Sequence, residues 1–231
     1  MLEMKKMLNK MGDSSYHKLK WNIKGVFDNF PIIEKALENQ LNQLPENHLR
    51  EKRKITNWID QIKKINNNIN HIKKSKLVEL ERNINYNFAE PDLVVLSFIQ
   101  PSIRNMFEEL NIYYSKLSLN ANLETCLSID EAAKVLALIG DAAISLALIQ
   151  ILWQPNISNV GELSIKRSEY ASNENMAMMC DKWGLYDFRI HFGSDHSENN
   201  HAKGTIIEAL FGVVYIEAGL DQVILSIDTL K

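Results

Sequence analysis

Apolar residues return along this chain at intervals of three and four, and no stretch alternates convincingly in the period of two that marks a strand. Residues 1–30 give mixed signals, with Gly12 and Gly25 among scattered aromatics. Pro31 then opens a helix, a favoured first-turn position for proline, and Pro45 ends it. Its apolar stripe is Ile32, Ile33, Ala36, Leu37, Leu41 and Leu44. A longer helix is predicted from about Glu46 to Asn83, where Ile55, Trp58, Ile62, Ile65, Ile69 and Ile72 form a heptad seam. Lys76 and Glu79 occupy the next seam positions, so the pattern fades there. Together these predict a helical hairpin over residues 31–83; the rival reading is a seam that pairs with a second subunit.

After Glu90-Pro91 the helices become shorter and more apolar. The pattern predicts helices over 92–99 and 102–117, joined at Pro101, and a polar loop over 118–128. Ser128 with Glu131 three residues on forms a capping box for a helix over 129–153, which ends ahead of Pro155. A helix over 173–184 stops at Gly184, residues 193–200 read as a loop, and helices over 201–218 and 220–230 finish the chain. The fold class predicted is all-α, with a helical extension over 1–85 and a second domain over 86–231.

Two of these helices hold the candidate chemistry. Val135–Ile149 is apolar except for Asp141 and Ser145, and Gly204–Tyr215 is apolar except for Thr205 and Glu208. A carboxylate shielded from water is costly unless a cation or hydrogen bonds compensate it, so Asp141 and Glu208 are expected to be shielded and to face a common ion. Each is followed by a small residue, Ala142 and Ala209, which predicts a close crossing of the two helices.

Charge divides the 231 residues unevenly. Residues 1–90 carry 17 Lys and Arg against 11 Asp and Glu, whereas the remainder carries 9 against 18. The basic run Arg50, Lys52, Arg53, Lys54, Lys63, Lys64, Lys73, Lys74 and Lys76 makes the extension a candidate for phosphate contacts. Cys126 and Cys180 are too few for a disulfide framework and lack metal-ligand spacing, so a reduced, cytoplasmic setting is expected. No signal peptide is visible, and no apolar run approaches the ~18 uninterrupted residues of a membrane span, so no membrane partner is expected.

Ile139-Gly140-Asp141-Ala142 resembles the Leu-Gly-Asp-Ala core of the ribonuclease III signature. Glu208-Ala209-Leu210-Phe211-Gly212-Val213-Val214-Tyr215-Ile216-Glu217 is similar to that family's Glu-Ala-Leu-Ile-Gly-Ala-Ile-Tyr-Leu-Asp helix. Between them, Gly161 to Glu174 resembles the Gly-x-Leu-Ser-x-x-Arg stretch with its following Ser-Asn-Glu, and Trp183-Gly184-Leu185 stands where the family has Gly-Leu. Upstream, Leu93 to Ser102 looks like the first family helix, with Gln100-Pro101-Ser102 in place of His-Pro-Ser. The ordered set covers roughly residues 86–231.

The resemblance implies a metal-dependent endonuclease for double-stranded RNA, with Mg²⁺ or Mn²⁺ as cofactor and a homodimer joined through the signature helices. It also implies four carboxylates, which fall here on Ala137, Asp141, Thr205 and Glu208. Asp141 and Glu208 are therefore the catalytic and metal-ligating candidates, with Thr205, His201 and Lys203 as supporting residues; Asp187, Asp195 and Glu198 lie within reach of the adjoining loop. A compact subfamily, mini ribonuclease III, is similar in pairing Ala and Thr at positions 137 and 205, and His201-Ala202-Lys203-Gly204 looks like a short archaeal branch. Ser164, Lys166 and Arg167 fall in a loop that the resemblance sets near the RNA backbone. The competing classes are a non-catalytic RNA-binding or scaffold protein on the same fold, and a helical protein whose heptad arm recruits a partner.

Overall fold

The heptad seam turns inward. α1 (Asn29–Gln43) and α2 (Leu49–His71) pack as the expected hairpin. Ile55, Trp58, Ile62, Ile65, Ile69 and Ile72 are all buried within the single chain. The seam is thus used internally and leaves no strip for a second subunit. The structure, a computed structural model, describes residues 23, 25–114, 123–153, 159–193 and 199–230. The expectations for most of residues 1–24, for Asp195 and Glu198, and for most of the polar stretch after Tyr114 lie outside these.

The fading of the seam at Lys76 has a structural cause. Residues Ile72–Lys76 form a π-turn between α2 and α3 (Leu77–Ile84), which leaves Lys76 on the seam, buried, and shifts the register after it so that Leu80 and Ile84 continue the core in place of the exposed Glu79. A buried ammonium needs partners. Lys76 Nζ finds Glu79 at 2.6 Å and the carbonyl of Trp183 at 3.2 Å, far along the chain. Further ties join the arm to the later helices: Trp58 Nε1 donates to Glu109 at 3.1 Å, Tyr113 Oη donates to Glu51 at 2.7 Å, and Lys73 pairs with Asp92 at 2.6 Å. The buried apolar residues of both parts form one continuous cluster.

Asn85, at φ 55°, ends α3 in the left-handed conformation. Glu217 then gathers the chain: its carboxylate accepts from Tyr86 Oη and from the N–H groups of Ala89 and Glu90, each at 2.9 Å, ahead of α4 (Pro91–Leu96). α5 (Ile103–Tyr114), α6 (Leu123–Leu127) and α7 (Ile129–Leu152) follow, then α8 (Val160–Tyr170), α9 (Asn173–Lys182) and α10 (Asn200–Ser226). α10 carries a break at Gly219 (φ 78°), matching the two helices expected there. Among the described residues there is no strand, only a single bridge between Ile99 and Ile190.

Three local expectations are corrected. Residues 123–127, read as loop, are helical, with Leu123 and Cys126 buried. The stretch around Ser164–Arg167, read as a loop, is α8, started by Asn159, whose side chain accepts from the N–H of Glu162. The capping box at Ser128 does not form: Ser128 Oγ donates to the carbonyl of Thr125 instead, and Glu131 pairs with Lys134. By length and composition α7 and α10 are also apolar enough to cross a membrane, contrary to the sequence expectation. In this fold they pack on each other more extensively than any other pair of helices.

Candidate active site

α7 and α10 touch backbone to backbone. A Cβ added to Gly140 would overlap the carbonyl oxygen of Glu208 and come within 2.8 Å of the Gly212 nitrogen, and a Cβ on Gly212 would overlap the carbonyl oxygen of Leu136. Only glycine permits this approach at both positions. The close crossing expected from Ala142 and Ala209 is thus made by Gly140 and Gly212 instead. It sets Asp141, the next residue on α7, beside Glu208 on α10.

The pair meets at the margin of the core. Asp141 is exposed, which corrects the expectation that both carboxylates are shielded. The reason is that no described residue covers the outer face of α7, where Val135, Leu138, Ala142, Leu146 and Ile149 are exposed too. Glu208 is half-buried. Its carboxyl is pushed up to about 7, first by desolvation and then by the negative charge of Asp141. Two carboxylates that repel each other in a partly dry setting, with no basic group among the described residues offsetting the charge on Glu208, are suited to a divalent ion.

The supporting candidates behave differently from one another. Thr205 is half-buried one turn before Glu208, and its hydroxyl donates to the carbonyl of His201 at 2.9 Å, which leaves oxygen lone pairs for another partner. His201 is exposed, and its own N–H donates to Asn199 Oδ1 at 2.8 Å. Lys203 is buried and points elsewhere: its ammonium lies 2.7 Å from Asp181 Oδ1 and 5.3 Å from the centre of the Tyr186 ring. It belongs to the packing of α9 and the 186–188 turn rather than to the Asp141–Glu208 pair. Ala137 is buried at 5% exposure and Asp187 is exposed. Among the described residues no group of three or more His, Cys, Asp or Glu side chains could hold a metal.

A residue that sequence reasoning placed only in a loop reaches α7 one turn from Asp141. Arg167 on α8 is half-buried, with its guanidinium 3.5 Å from Ser145 Oγ and 3.2 Å from Ser168 Oγ. Ser145 lies one helical turn after Asp141, so this cation is held on the Asp141 end of α7, among the described residues by the hydroxyls of Ser145 and Ser168. The signal available in sequence was the Arg seven residues into α8, which is legible only once α8 is known to be a helix packed on α7.

Comparison with known proteins bears on this crossing directly. Residues 134–219 match the model of the Ribonuclease III domain, a span that holds Ala137, Asp141, Thr205 and Glu208. The chain is 31% identical over 94 residues to Ribonuclease 3 of Rhizobium meliloti, covering 37% of this chain and 38% of that protein. It is 26% identical over 150 residues to Ribonuclease 3 of Sinorhizobium fredii, covering 62% and 52%. The chain thus spans about half, or less, of the curated relatives it matches. Among solved structures it resembles the nuclease domain of ribonuclease III from Campylobacter jejuni, described for structural flexibility in a region involved in dimer formation. The TM-score is 0.50 at 18% identity, over 66% of this chain and 93% of that one, which supports the all-α nuclease-domain fold.

Proposed function

This chain carries a ribonuclease III domain, and on that premise we propose that it is a divalent-metal-dependent endoribonuclease acting on double-stranded RNA. The observation that carries the reading is the Asp141–Glu208 pair: two carboxylates brought together by a glycine crossing, with Glu208 pushed up to about 7 by burial and then by the charge of Asp141. Mg²⁺ is commonly held by one or two carboxylates while keeping several waters, so this donor set fits a hydrated Mg²⁺ or Mn²⁺. When bound, such an ion supplies a polarised water and neutralises charge on the phosphoryl oxygens. The chain's own residues have separable parts in this. Asp141 and Glu208 hold the ion, Thr205 offers a hydroxyl oxygen one turn from Glu208, and Arg167 offers a guanidinium for a phosphate beside Asp141.

The active unit is a homodimer. On α7 the exposed side chains Val135, Leu138, Ala142, Leu146 and Ile149 recur at spacings of three and four, forming one apolar face that Trp153, just past the helix end, extends. Neighbouring α8 has no buried residue, and its Val160 and Ile165 are exposed at 83% and 62%. A second copy related by a two-fold axis covers this face with the same face and encloses Asp141, whose exposure is a property of the isolated chain. Leu138→Glu should convert dimers into monomers in light scattering.

The second reading is a non-catalytic, RNA-binding scaffold, and one observation favours it: Ala137 is closely packed where the resemblance sets a carboxylate. Incubation of the protein with a labelled RNA duplex decides between them. Cleavage that requires Mg²⁺ or Mn²⁺ and disappears in Asp141→Asn supports the enzyme. Saturable binding by wild type without any cutting, whichever ion is supplied, supports the scaffold.

A further inference from the structure

Several basic residues of the arm serve the fold: Lys54, Lys63, Lys73 and Lys76 are engaged in ion pairs with Glu109, Glu38, Asp92 and Glu79. A separate row lies on the side of α2 turned away from the buried seam, where Arg50, Arg53, Lys64 and, in the π-turn, Lys74 stand with Asn57 and Asp60. All six are exposed, and the five on α2 are spaced by three and four residues, which places them along one helix face. Arg50, Arg53 and Lys74 make no ion pair among the described residues, and Asp60 is the only acid in the row.

Three features give this face its character. Between Arg50 and Lys74 no apolar side chain is exposed, whereas a protein-docking surface has an apolar core. The row extends for about 36 Å at ~1.5 Å per residue, a length over which a duplex presents many phosphates. Its far end adjoins the nuclease helices: Asn68 donates to the carbonyl of Arg189 at 3.3 Å, His71 packs edge-on against Phe188 at 4.7 Å, and Tyr186 of the same turn covers Lys203 on α10. Arg and Lys with an intervening Asn are the side chains that grip phosphate and sugar without reading sequence.

We propose that the outer face of α2 is an accessory binding surface for the phosphate backbone of duplex RNA, holding the substrate independently of its sequence. This rests on the reading of the chain as a protein that acts on double-stranded RNA, and it adds a contact away from the Asp141–Glu208 pair.

The test is fluorescence anisotropy with a labelled RNA duplex in EDTA, across a series of KCl concentrations, using the full chain. Each phosphate contact contributes about 0.9 to the slope of log affinity against log salt in duplex DNA. Arg50→Gln/Arg53→Gln/Lys64→Gln/Lys74→Gln should therefore flatten the slope by about 3 and weaken binding at least tenfold at low salt. Asp60→Lys, which adds charge on the same face and does not depend on the quadruple variant folding, should steepen the slope by about 1. Wild-type affinity and slope in both variants, with wild type binding the duplex in EDTA and cutting it once Mg²⁺ is supplied in excess, overturns this surface and leaves the proposed activity standing. Wild type that neither binds nor cuts duplex RNA overturns the activity itself, and this surface with it.

Discussion

Replacing Glu208 by Gln removes one of two facing charges while keeping the side chain's shape, and the structure sets both the sign and the size of the effect. In the metal-free protein the Glu208 carboxyl lies at about 7 instead of the ordinary 4.5, because burial and then Asp141 disfavour its ionised form. A carboxyl whose pKa is raised on folding lends stability that is fully present below about pH 4.5 and is lost as pH rises through about 7. At ~1.4 kcal/mol per pH unit the displacement corresponds to about 3 kcal/mol. Solvent screening at the exposed Asp141 trims this, and about 2 kcal/mol is the working figure. Urea unfolding in EDTA at pH 5 and pH 8 measures it. Wild type should lose about 2 kcal/mol more than Glu208→Gln over that interval, which at ~2–4 °C per kcal/mol is roughly 4–8 °C in Tm. Histidine titrations are common to both proteins and cancel in the difference. Parallel pH profiles for the two proteins would refute the claim that Glu208 is held against Asp141.

Other consequences can be measured independently. Gly140→Ala and Gly212→Ala drive a methyl group into a backbone carbonyl and should each cost ~3 kcal/mol or more in chemical unfolding, whereas Gly204→Ala, whose nearest side-chain neighbours stand at 3.3–3.4 Å, should cost far less. Asp181→Ala strands the buried Lys203 ammonium from its carboxylate and should cost about 3 kcal/mol; Lys203→Met removes the buried charge, leaves an exposed Asp, and should be close to neutral, with RNA cleavage unchanged. Trp58→Ala opens a cavity and removes the bond to Glu109, and a loss of ~3–5 kcal/mol by thermal unfolding is expected. Deletion of residues 1–85 should give an aggregated or unfolded chain in circular dichroism, because it uncovers a core shared with the rest of the molecule.

The helical class, the hairpin and the order of helices were legible because apolar spacing of three and four is a local property, and the seam from Ile55 to Ile72 is buried as its spacing implies. Asp141 and Glu208 were legible as polar residues inside apolar runs, and a resemblance to ribonuclease III joined them. What the sequence hid was tertiary. Lys76 reads as a break in the seam, and only the π-turn and the distant Trp183 carbonyl make it a buried partner. Lys203 reads as a cation near Glu208, yet its direction is set by Asp181 and Tyr186 on other elements. α8 was missed because its apolar residues follow no single buried face, having no buried residue at all. Asp141 reads as shielded because its helix is apolar on every side, and the exposed side is the one proposed to meet another copy.

Calorimetric titration of Mn²⁺ into the metal-free protein at several pH values reads directly whether Asp141 and Glu208 jointly hold one divalent ion, as proposed. One ion per chain should bind, with release of a fraction of a proton at pH 7, because Glu208, pushed up to about 7, is partly protonated there and must ionise to bind. Release should fall towards zero by pH 9, and both the binding and the proton release should be lost in Asp141→Asn and in Glu208→Gln. Mn²⁺ bound with wild-type affinity by either variant, or bound by wild type at pH 7 without proton release, contradicts the proposed shared site.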